Sequence, residues 1–70
     1  DIWPLGYIAT ILGEQEKVDQ AITVLQGALA IDSDVAVMHF LLAQAYFKKG
    51  DQWNGVREST EAIRLKALGF

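Results

Sequence analysis

Shifted by 34 residues, the sequence superposes on itself. Ile8 falls on Leu42, Ala9 on Ala43, Leu12 on Tyr46, Ala21 on Gly55 and Ile22 on Val56. Further along, Ala28 falls on Ala62, Leu29 on Ile63 and Ile31 on Leu65. Apolar residues meet apolar residues and small ones meet small ones. One unit is therefore written twice, over residues 1–34 and 35–68, with 69–70 as a tail or the start of a further element. A unit this short cannot bury its own apolar face and must stack on its neighbour.

Each unit reads as two helices. The run from Val35 to Asp51 is apolar on nearly every side, so it must be covered by other helices. It is too short to cross a bilayer, which takes about 20 apolar residues. Asp32, Ser33 and Asp34 before it offer acceptors to free helix N–H groups, and Lys48, Lys49 and Gly50 close it with cations and a left-handed turn. A first helix runs from about Ile2 to Gln15, with Pro4 tolerated in its opening turn and Leu5, Ile8, Ala9 and Leu12 on one stripe. A second, from about Lys17 to Ile31, turns Val18, Ala21, Ile22, Leu25, Ala28 and Leu29 inward. A fourth, from about Gln52 to Lys66, turns Val56, Ser59, Ala62 and Ile63 inward and Arg57, Glu58, Glu61 and Arg64 outward. No strand signal competes, and the connections are short enough to make successive helices antiparallel neighbours. The expected fold is all-α: four helices in two helix–turn–helix repeats, a fragment of an α-solenoid.

Composition sets the outer limits. A hydrophobic fraction of 51% supports a packed core, and the absence of cysteine removes disulfides and thiolate metal sites. The net charge of −3 argues against a nucleic-acid partner held on a basic face. Six acids and one base lie in residues 1–34, against three acids and five bases in residues 35–70, an asymmetry that favours head-to-tail stacking with another copy or a complementary neighbour. The chain opens at Asp1 with no methionine or signal-like segment, which suggests a piece of a longer or processed protein. Compartment is not legible.

With Leu42, Ala43, Tyr46, Gly50, Asp51, Gly55, Ala62 and Ile63 in one copy, and Ile8, Ala9, Leu12, Ala21, Leu25 and Ala28 in the other, the chain resembles the tetratricopeptide repeat family over nearly its whole length. It departs from the family pattern at Leu5 and His39, where tryptophan is usual, and at Ser33, where proline is usual. Glu16 and Lys17 stand at the first turn in place of glycine and aspartate. The resemblance implies a non-enzymatic interaction module, with no cofactor, whose concave groove takes an extended or helical segment of a protein partner. It places Trp3, Gly6, Thr10, Gly13 and Glu14 on that groove from the first repeat, and Val37, Phe40, Gln44, Phe47 and Lys48 from the second. Phe40 and Phe47 beside the side-chain-free Gly6 and Gly13 suggest an apolar shelf next to a hollow. The basic and asparagine clamp that chaperone-binding members use is absent, which argues against an acidic chaperone tail as ligand. The alternative is an assembly subunit packed permanently in a larger complex.

Other chemistry finds little footing. His39 is the only histidine, so it cannot assemble a metal site and is read as a packing residue. Asp32, Ser33 and Asp34 lack the further ligands and glycine turn of a calcium loop and are read as helix caps. Glu14, Glu16, Glu58 and Glu61 fall at helix ends or outward faces, not in a shared cleft, and the scattered glycines form no phosphate loop. Two repeats leave an end uncovered, so Val56, Ile63 and Leu65 are expected to have a bare side and the lone monomer to be weakly stable.

Overall fold

The computed structural model describes residues 1–70 throughout. Four helices follow one another: α1 (Trp3–Glu14), α2 (Val18–Ile31), α3 (Ala36–Lys49) and α4 (Gln52–Ala67). There is no strand, and the helix ends lie about where the periodicity puts them. The molecule is a slab of 32 × 28 × 16 Å, thin because each helix is covered by its chain neighbours and little else. α1 packs on α2, α2 on α3 and α3 on α4, with a lighter contact between α1 and α3.

Three of the helices end in the same way. At α3 the Asp51 N–H donates to Tyr46 O at 2.9 Å and the Gly50 N–H to Phe47 O at 3.0 Å, with Gly50 at φ +91°. At α4 the Phe70 N–H reaches Leu65 O at 2.9 Å and the Gly69 N–H reaches Lys66 O at 3.1 Å, with Gly69 at φ +94°. These paired bonds satisfy the last free carbonyls and need one left-handed residue. Gly69 and Phe70 thus wrap the end of α4. At α1 the pattern recurs with Lys17 N–H to Leu12 O at 2.8 Å and Glu16 N–H to Gly13 O at 3.1 Å, but the left-handed residue is Glu16, at φ 63°. A side chain in that region is strained, because Cβ crowds the following carbonyl. Glu16→Gly is therefore expected to stabilise the chain by about 0.5–1 kcal/mol, after the loss of glycine's freedom in the unfolded state. Its exposed ion pair with Lys48, at 3.4 Å, offsets little of this. Thermal melts check it: an unchanged or lower midpoint refutes the strain.

Helix starts differ from the sequence expectation at α3. Val35 precedes it in extended conformation and makes no side-chain cap. Asp34 lies one residue too early, and Asp32 Oδ1 instead accepts the Asp34 N–H at 3.0 Å, tightening the connection. The capping role assigned to this cluster is corrected accordingly. At α4 Asp51 does cap, accepting the Asn54 N–H at 3.2 Å and its side-chain amide at 2.7 Å. Those hydrogen bonds hold the Asp51 carboxyl below its ordinary value of 3.8. The cap's contribution is thus present at neutral pH and is lost as pH falls through that lowered value.

The core lies between α1, α2 and α3, with Ala9, Ala21, Ile22, Leu25, Ala28, Met38, Leu42 and Tyr46 buried together. Between α3 and α4 the buried residues are mostly small: Ala36, Ala43, Gly55 and Ala62, with Leu65. Several expected faces are corrected here. Ile8 is exposed and Leu65, expected to have a bare side, is covered, whereas Val56 and Ile63 are exposed as the uncovered end requires. Glu58, expected to face outward, is 12% exposed and turns to His39, its Oε1 2.8 Å from Nδ1. The other ring nitrogen lies 2.8 Å from the Ser33 carbonyl. His39 thus ties the α2–α3 connection to α4.

Candidate functional site

The expected groove residues do not share one place. Thr10, Gly13, Glu14, Gln44 and Lys48 line one cleft of about 220 Å³ between α1, α2 and α3. Its floor is apolar, made by Ala9, Val18, Ala21, Leu25, Leu41 and Ala45. Thr10, Gly13 and Glu14 share one face of α1 because they are three and four residues apart; Gln44 and Lys48 are one turn apart on α3. Position 13 leaves its side of the cleft open: a Cβ built on Gly13 meets nothing within 4 Å.

Lys48 Nζ bridges the mouth, donating to the Gly13 carbonyl at 2.7 Å and standing 3.4 Å from Glu16 Oε1. A cation on the carbonyl end of α1 is favourably placed against the helix dipole. The next residue along, Lys49, meets Asp19 Oδ1 with its Nζ at 2.6 Å, and that carboxylate holds the amine above its ordinary value. Two lysines of α3 thereby lock onto the acidic first half. The Thr10 hydroxyl donates back to Gly6 O at 2.9 Å, so toward a ligand it is an acceptor. Gln44 is exposed beside it and carries both a donor and an acceptor.

The other expected residues lie elsewhere. Gly6 is no hollow: a Cβ there stands 3.0 Å from Met38 Cε and 3.6 Å from Leu41 Cδ1, because α3 fills the space. Phe47, at the position 34 residues after Gly13, lays its ring against Gly55, where a Cβ comes within 2.6 Å of ring carbons. In the second half that ring occupies what is open cleft in the first. Val37 and Phe40 join Ala36, Ala62, Ile63 and Ala67 around a separate apolar trough of about 520 Å³ between α3 and α4. Trp3 is half exposed at the start of α1 and belongs to neither. The floor residues Val18, Leu41 and Ala45 were not anticipated. Their signal is their place on the covered sides of α2 and α3, which the groove positions alone do not show.

No group of three or more histidine, cysteine or carboxylate residues is placed to hold a metal ion. No helix is long and apolar enough to cross a membrane. A family model described as TPR repeat matches residues 10–50, more than half of the chain, from the middle of α1 to the turn that ends α3. No curated protein and no solved structure matches the chain. With its helical hairpins, its shared left-handed turns and that match, the chain belongs to the tetratricopeptide repeat family, whose members mediate protein–protein interaction.

Proposed function

We propose that the chain consists of two repeats, 1–34 and 35–68, and takes a segment of a partner protein in the cleft between α1 and α3. The observation that carries this reading is the cleft itself, apolar below and polar at the rim, kept open at Gly13 where the repeat-related position holds the Phe47 ring. An apolar side chain of the segment enters at Gly13. Gln44 and the Thr10 oxygen bond its backbone, which fixes direction more than affinity.

Gly13→Leu tests this because it moves stability and binding in opposite directions. The position lies in the last turn of α1 with free space around it, so the substitution removes a helical glycine and is expected to stabilise by up to about 1 kcal/mol. The same side chain fills the cleft. Peptides selected from a random display library on the wild-type chain are expected to bind Gly13→Leu at least about tenfold more weakly by fluorescence anisotropy. Arg57→Ala, on α4, is expected to leave their affinity unchanged. Peptides that bind Gly13→Leu at wild-type strength refute the cleft as the site.

A further inference from the structure

The trough between α3 and α4 has a matching knob on the same molecule. Within the chain, α3 seats on α1 and α2 through Met38, Leu41, Leu42 and Ala45, with the Met38 and Leu41 tips received at Gly6. The α1 residues 34 positions earlier are Pro4, Tyr7, Ile8 and Ile11, apolar or aromatic as well, yet all exposed. Leu42 is 3% exposed and its counterpart Ile8 is 46% exposed. The receiving side shows the same contrast. Ile22 is 7% exposed, whereas its counterpart Val56 is 57% exposed, and Phe40 stands open at the position of Gly6. Both halves of the internal joint therefore recur, uncovered, at opposite ends of the molecule.

We propose that copies of this chain stack end to end, with α1 of one copy seated in the trough between α3 and α4 of the next. The occupant is a helix of this chain because the joint between α3 and the α1–α2 pair already shows how such a helix is held. Net charge favours the same order, with six acids to one base in residues 1–34 and five bases to three acids in residues 35–70. Lys48 and Lys49 are already paired with Glu16 and Asp19 within the chain, which leaves Lys66 on the trough wall as the cation facing the next copy. The two contacting faces differ, so each copy keeps one of them free and the assembly grows beyond a dimer. The cleft at Gly13 lies outside this contact, and the inference does not rest on its occupancy.

Sedimentation equilibrium of the chain over a range of concentrations provides the test. The wild type is expected to show an average mass that rises past the dimer. Ile8→Glu spoils the knob and Ile63→Glu spoils the trough; each alone is expected to weaken association at least about tenfold. An equimolar mixture is expected to form a one-to-one dimer and nothing larger, because the intact α1 of the Ile63→Glu chain fits the intact trough of the Ile8→Glu chain. Both sites are exposed, and circular dichroism verifies that the helices persist; if either variant unfolds, Tyr7→Lys or Val56→Lys replaces it. A wild type that stays monomeric at every concentration overturns the proposal and leaves the trough to a different protein. An association that stops at two copies, or variants that fail to complement, overturns it as well.

Discussion

Met38→Ala is expected to lower stability by about 2–5 kcal/mol, a large share of the roughly 4–10 kcal/mol available to a domain of this size. Met38 is 0% exposed. Its thioether end fills the space where α1 has no side chain, 3.0 Å from where a Cβ on Gly6 would stand. Alanine leaves that space empty, and Gly6 has nothing to extend into it. The contact between α1 and α3 is also the lightest of the helix pairings, so few other atoms can close the gap. Met38→Leu keeps most of the volume and is expected to cost less than about 1.5 kcal/mol. Urea unfolding of the two variants decides the matter. A loss below about 1 kcal/mol for alanine would mean that α1 and α3 do not close around this side chain.

What the sequence reveals of this fold is what is local to the chain. Helix positions, turns and the 34-residue relation are local properties, set by periodicity and by Gly50, and they reappear in the structure. Burial is not local. Ile8 and Leu42 are equivalent in sequence, yet only Leu42 has a helix on its outer side, and Val56 and Ile63 differ from Ile22 and Leu29 in the same way. Apolar pattern records which faces are suited to a neighbour, not whether one is present. The groove positions show a related limit. Thr10, Gly13, Gln44 and Lys48 meet around one cleft because they share facing sides of α1 and α3. Gly6 is closed by Met38, and Val37 and Phe40 turn to Ala62 and Ile63 of α4. A glycine at a helix–helix crossing is usually filled by its neighbour, and only the packed structure reveals which glycine is not. Asp32, Ser33 and Asp34 failed as caps for a different reason: the chain needs one extended residue, Val35, before α3 can begin.

Gly55→Leu is expected to destabilise by about 1–3 kcal/mol, although replacing a helix-interior glycine gains up to about 1 kcal/mol in propensity. The repeat pairs Gly55 with Ala21 as a small position, and the structure names the atoms responsible. A Cβ at this position would stand 2.6 Å from Phe47 Cδ1 and Cε1 and 2.8 Å from Cζ. The ring must leave its seat or α4 must move. Phe47 is half exposed, so its outward swing into solvent limits the cost. Phe47→Ala separates this account from a general intolerance of α4. With the ring gone, leucine at position 55 occupies the vacated volume, and the propensity gain is no longer opposed. Gly55→Leu is then expected to be stabilising in the Phe47→Ala background, a reversal of sign with a coupling energy of at least about 1 kcal/mol between the two positions. Chemical denaturation of the wild type, both single variants and the double variant measures that coupling. Additive effects would place the clash elsewhere, on the α3 backbone, and remove Phe47 as the reason for glycine at position 55.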